Sequence, residues 1–286
     1  MKTGVNSGSG EPAYREAARR VADLLLTDDA AALDALPERA RAELLAPLFA
    51  VSRALDEQRD LPHLRAAVDA LRSAAAAARA ELPGDLRQPI EDLRFVSARQ
   101  AWAAAVARAG LFVVAGHEAP EGLMPPGVAN AMFSMPASDR LCEAWKDVED
   151  PRLREKANAD WYRLSVERGL FRPEDPRFHL ASDIEPWICV ELRGPWDIMG
   201  EGAAGPLGSA FCRPEFRMLS LDGNVLVGGT TSQFSIGTVV VTEPHRAKEL
   251  RDFAEHAAES EYAVWSARDK AAARRWLELH PADPGI

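Results

Sequence analysis

The stretch from Arg213 to Leu279 constrains the fold most, because strand, turn and helix signals follow one another there without interruption. Phe216 to Leu221 alternates apolar and polar residues, Asp222-Gly223 offers a pair able to take positive φ in a two-residue turn, and Asn224 to Val227 returns as a second strand. That pattern predicts a β-hairpin. Gly228 to Gln233 (GGTTSQ) then breaks the alternation with turn-favouring residues, and Phe234 to Val241 resumes as a third strand ending in three valines. Thr242 stands where it can cap a helix over 243–258, which carries Leu250, Phe253, Ala254 and Ala257 at helical spacing. Tyr262 to Trp265 reads as a short strand, and Ser266 with Asp269 has the form of a capping box that opens a last helix. A strand, helix, strand, helix unit follows, with a right-handed crossover if its strands are parallel.

The first part of the chain has a different periodicity. Residues 1–10 are rich in Gly and Ser and read as a tail, whereas no glycine occurs from Glu11 to Pro83. Tyr14, Ala17, Ala18, Val21, Leu24 and Leu25 mark one helical face, Leu44, Leu45, Leu48 and Leu55 a second, and Leu64, Val68 and Leu71 a third. Pro47 either kinks the second helix or begins it. The alanine-rich run from Ser73 to Ala80 suits close helix contact. A helix over 97–109 is stopped by Gly110, and Leu111 to Val114 reads as a short strand or a last turn. The expected organisation is α+β: a tail (1–10), an antiparallel helical bundle (11–116), a Pro- and Gly-rich linker or loop (117–136), and a mixed β-sheet domain with flanking helices (137–286). Within the last domain, 139–148 and 151–168 read as helices, 171–186 as irregular, and Trp187 to Leu192 as a strand.

Composition narrows the function classes. Hydrophobic residues make up 47% of the chain, enough for a proper core, and a net charge of −10 argues against a general nucleic-acid or anionic-membrane surface. Cys142, Cys189 and Cys212 are odd in number and widely spaced, which speaks against a disulfide framework. No stretch has the apolar run of a signal peptide or a membrane span, so the expectation is a cytoplasmic protein; heavy Ala and Arg usage suggests a bacterial coding bias.

Five features bear on chemistry or binding. Gly200 to Gly205 (GEGAAG) matches the glycine pattern of a dinucleotide-binding loop, but the flanking Pro195, Pro206 and Pro214 do not suit the helix that should follow, and the segment reads as a loop. Gly228, Gly229, Thr230, Thr231 and Ser232 form a donor-rich loop suited to a small anion, with His245 nearby in the first turn of the next helix. None of the six histidines stands in a compact metal pattern, so no metal or cofactor is expected. Cys212 lies beside Arg213, a cation that lowers a thiol's pKa, whereas Cys189 within a strand is expected to be inert. Trp187 and Trp196, next to Pro and Gly, are candidates for a partner surface.

Trp102 to Leu111 (WAAAVARAGL) resembles the helix of one family of zinc metallopeptidases, which carries a zinc-binding glutamate and an A-D-R-x-G-L pattern. The acidic positions of that pattern fall on alanines here, including Ala107, and the zinc-binding histidine pair is missing, so the resemblance implies at most a metal-free relative. The functional expectation is a non-catalytic protein acting through protein contacts, with another chain or with itself, as adaptor, regulator or assembly subunit. The alternative is an enzyme or sensor that binds a small anion at the Gly228–Gln233 loop.

Overall fold

The structure is a computed structural model and describes residues 14–16, 18, 19, 22, 36–57, 59, 61–78, 95, 98–138, 140–260 and 265–281. It combines helices with an antiparallel sheet, an α+β architecture, and divides into two compact units between Ala101 and Trp102. The division falls inside a helical stretch, 98–107, and not near Gly116.

In the first unit, α1 (Glu38–Asp56) and α2 (Leu61–Ala77) pack against each other. Leu44, Leu48, Val51 and Leu55 of α1 meet Leu64, Val68, Leu71 and Ala75 of α2 in one core that also takes in Tyr14, Ala18 and Ala22. Pro47 lies inside α1, so the helix begins before it. The predicted face positions at 17, 21, 24 and 25 lie outside the described residues.

The second unit is built on a seven-stranded sheet in the order β1-β4-β3-β7-β8-β9-β2. Its strands are β1 (Leu111–Val113), β2 (Leu141–Asp147), β3 (Arg177–Ala181), β4 (Trp187–Leu192), β7 (Phe216–Leu219), β8 (Val225–Thr231) and β9 (Ser235–Thr242), while β5 (Gly208–Ala210) and β6 (Arg213–Pro214) form a separate ribbon. Every pairing is antiparallel, which corrects the expected mixed sheet. The short strand expected at Tyr262–Trp265 lies largely outside the described residues.

Each strand alternates between two apolar layers, as the two-residue period of a strand requires. Phe178, Leu180, Ile188, Val190, Met218, Val227 and Val240 face the layer of α3 (Leu153–Arg168), which contributes Trp161 and Leu164. Leu219, Leu226, Val239 and Val241 face α4 (Lys248–Glu259) and α5 (Ala267–Leu279), together with Val128, Ala129 and Met132 from a helical turn after Pro125. The segment read as a linker or loop, 117–136, thus contributes Met124, Val128, Ala129 and Met132 to the core of this unit. α3 ends as its sequence predicts: Gly169 takes a left-handed φ of 86°, and the N–H groups of Leu170 and Gly169 donate to the carbonyls of Ser165 and Val166 at 2.8 and 3.2 Å.

Three local readings are corrected. Residues 141–147 are strand and not helix, because Leu141 to Asp147 pair one for one with Val241 to Ser235, and the ladder outweighs a pattern too short to define its own period. Within 171–186, Arg177 to Ala181 pairs on both sides and is a strand. The predicted hairpin forms, but its connection spans Ser220 to Asn224. Ser220 Oγ donates to Asp222 and accepts from Val225 N–H, leaving Gly223 at φ 75°. The capping box of Ser266 and Asp269 is present.

The sheet leaves no room over Gly229, where an added Cβ would collide with the ring of Phe216. Gly229→Ala is expected to cost about 1–3 kcal/mol through overpacking, read as a lower urea midpoint at unchanged slope.

Candidate functional site

The predicted anion loop is mostly strand. Gly228, Gly229, Thr230 and Thr231 lie in β8 and pair with Val239, Thr238, Gly237 and Ile236; Ser232 and Gln233 lie in the following turn, where the Ser232 hydroxyl is engaged with Ser235. A Cβ on Gly228 would approach the Phe133 ring at 2.6 Å, so close packing accounts for this glycine. His245 is elsewhere. It follows Thr242, which pairs with Val225 at the opposite end of the β8–β9 ladder from Thr231. Along β8 the glycine-threonine run thus begins three residues and ends six residues from the Val225 end, roughly 10 to 20 Å at 3.3 Å per residue.

The loop at Gly200–Gly205 explains its own glycines. The Asp197 carboxylate accepts from the N–H groups of Gly200 and Glu201 at 3.0 and 2.7 Å, and Asn158 Oδ1 accepts from those of Ile198 and Met199, both at 3.0 Å. Asn158 Nδ2 and Arg154 in turn hold Asp197. Four consecutive donors that a phosphate would need are already satisfied by side chains from within the unit. Replacing Asp197 by Ala strands two of these N–H groups, one of them buried, and is expected to cost about 3 kcal/mol, measured by urea denaturation.

A polar cavity of about 500 Å³ lies where β2 begins, β9 ends and α4 begins. Ser138, Arg140, Glu243, Arg246, Lys248 and Glu249 line it. The chain reaches it through an unusual corner. Thr242 does not cap a helix; its N–H donates to Arg140 O, and Glu243 takes a left-handed conformation (φ 48°, ψ 56°) with its N–H on Asn224 O at 2.8 Å. A 3-10 turn, Pro244–Arg246, follows, and α4 starts only at Lys248 with no side-chain cap at Ala247. His245 therefore sits in the 3-10 turn and not in the first turn of an α-helix.

The electrostatics of the cavity centre on Glu243. Its carboxylate accepts from Arg140 at 2.6 Å and Arg246 at 3.3 Å, and these two hydrogen bonds hold its pKa below the usual carboxylate value. Lys248 pairs with Asp252 on the next turn of α4. Three cations and the uncapped first turn of a helix thus face a space that holds two carboxylates. Behind it, the rings of His245 and His280 stack at 5.1 Å, and Arg251 donates to the carbonyls of both residues. Burial, followed by repulsion from His280, lowers the pKa of His245, with Glu243 opposing. The arrangement suits the binding of an anion.

Of the two candidate partner-surface tryptophans, one is buried and the other half-buried. Trp187 is 5% exposed and its indole N–H donates to Met124 O at 2.6 Å; Trp196 is half-buried, stacked on Tyr162 and edge-on to Trp161. The large aromatic side chains that are exposed in this unit are Phe112, Trp145, Phe211 and Phe234. Cys212 is not activated, since burial and then Asp197 push its thiol up despite Arg154, and burial pushes Cys189 up to about 11. Among the described residues no group of three or more His, Cys, Asp or Glu is arranged to hold a metal ion, and no helix is long and apolar enough to cross a membrane.

Sequence reasoning missed Arg140, Glu243, Arg246 and Lys248. Arg140 and Glu243 meet only because β2 pairs with β9, and that pairing was hidden once 139–148 was read as helix. No family model, no curated protein and no solved structure matches the chain.

Proposed function

We propose that the second unit is a binding module for a small anionic group, a phosphate or carboxylate, received in the cavity between Arg140, Arg246, Lys248 and the start of α4. The single observation that carries this reading is the convergence of three cations and an uncapped helix start on one 500 Å³ space. The anion class is the one weighed from sequence, but the place is different. The protein-contact reading rested on missing motifs, with Trp187 and Trp196 as its candidate surface; Trp187 is buried and Trp196 is half-buried against Tyr162.

Glu243 sets the affinity. It already occupies both arginines, so an incoming anion has to share or displace it, and the wild-type protein should bind weakly and in a salt-dependent way. The test is titration of the full chain with inorganic phosphate, followed by backbone amide NMR shifts and calorimetry. A dissociation constant of roughly 1 mM is expected, with the largest shifts at Lys248 and Glu249. Arg140→Ala should weaken binding about tenfold and Glu243→Gln should tighten it by a similar factor. Phosphate that leaves these amides unmoved in both wild type and Glu243→Gln, or that binds equally well after Arg140→Ala, rules the reading out.

A further inference from the structure

We propose that Gly116–Gly122 is an acid-released lid over the α4-side face of the sheet, latched by the contact between His117 and the buried His179. His179 lies in the middle of β3 and is 0% exposed, yet neither of its ring nitrogens has a hydrogen-bond partner. A buried imidazole with two unpaired nitrogens is rare enough to need a reason. Among the described residues the ring packed against it is that of His117, at 5.6 Å between centroids and 43° between planes.

Among the described residues the surroundings offer no counter-charge: Arg217, two residues before Leu219 on the same face of β7, is itself a cation and donates to Asn130. Cys189 and Leu219 lie directly across the two ladders from His179. Arg177, two residues earlier on the same strand face, has its guanidinium on Asp175. Glu191, two residues from Cys189, receives Arg193. On the lid, Glu118 and Glu121 are exposed. A protonated His179 would therefore be an uncompensated charge between a thiol, a leucine and a second imidazole, which a folded interior does not retain.

The lid has the mechanics to respond. Gly116 and Gly122 bracket it with left-handed φ of 70° and 85°, conformations that let the chain turn sharply at both ends. Beyond it, the Trp187 indole holds Met124 O and anchors the chain to the sheet. Release can therefore stop at Gly122 without unfolding the unit.

The direction follows from linkage. Burial, and secondarily the His117 ring, push His179 down to about 4, whereas an opened lid returns it to the ordinary 6.5. Closure is then fully stable above pH 6.5, weakens as pH falls below it, and has lost its whole advantage below pH 4. Between pH 7.5 and 4.5 the open-to-closed ratio rises roughly fifty-fold.

Cys189 reports the opening, since it is 1% exposed and shares the face of His179. The full-length protein would be treated with a pyridyl disulfide that reacts in acid, and modification of each cysteine would be mapped by mass spectrometry. Expected is an increase of roughly fifty-fold in the rate at Cys189 from pH 7.5 to 4.5, corrected for the reagent, with far-UV dichroism unchanged and with little change at the half-buried Cys142 and Cys212. His179→Leu should fold and abolish the increase. Should that variant not fold, hydrogen exchange of the wild type decides instead: faster exchange confined to 115–123 at pH 4.5, with β8 and β9 still protected, supports the lid. Cys189 that stays unreactive until the whole unit unfolds, or that reacts alike in His179→Leu, overturns it.

Discussion

The second unit depends on the burial of both faces of β9. Its valines point alternately to the α3 layer and the α4–α5 layer, while its backbone pairs with β8 on one side and β2 on the other. A strand so enclosed must satisfy every N–H and C=O through its ladders, because no water reaches it. That requirement fixes the register of β8 and β2, since a slip by one residue would send every side chain to the wrong layer. The corner after Thr242 inherits its geometry from the same ladder: Glu243 is held by Asn224 on one side of β9, and Arg140 reaches it from the other.

How much of this was legible in the sequence depended on the range of the interactions. The β7–β8 hairpin, the capping box at Ser266 and the stop at Gly169 are specified by residues a few positions apart, and each was readable. The strands β2 and β3 were not. Leu141 to Asp147 has no clean alternation of its own, since Cys142 and Ala144 are small and Lys146 occupies a core-side position by pairing with Asp160. The strand is specified by β9, far along the chain, and only tertiary structure reveals it.

The candidate site was illegible for the same reason. The glycine-threonine run looked like a ligand loop because glycine marks loops in sequence, but Gly228 and Gly229 are small to admit Phe133 and Phe216. Asp197 shows the converse. A dinucleotide-like glycine pattern lost its meaning once one carboxylate and one amide from α3 had taken up its donors. In both places the composition of a segment was read correctly, and the identity of what approaches it decided the role.

The order of strands also imposes a schedule on synthesis. β2 leaves the ribosome roughly ninety residues before β9, its only partner in the sheet. At 5–20 residues per second the nascent strand waits roughly 5–20 s with an unpaired backbone and Trp145 uncovered. During that interval the cell meets a sticky, incomplete edge and not the finished unit. The charges at Glu143, Lys146 and Asp147 are what the strand itself carries to keep neighbouring chains from pairing with it first.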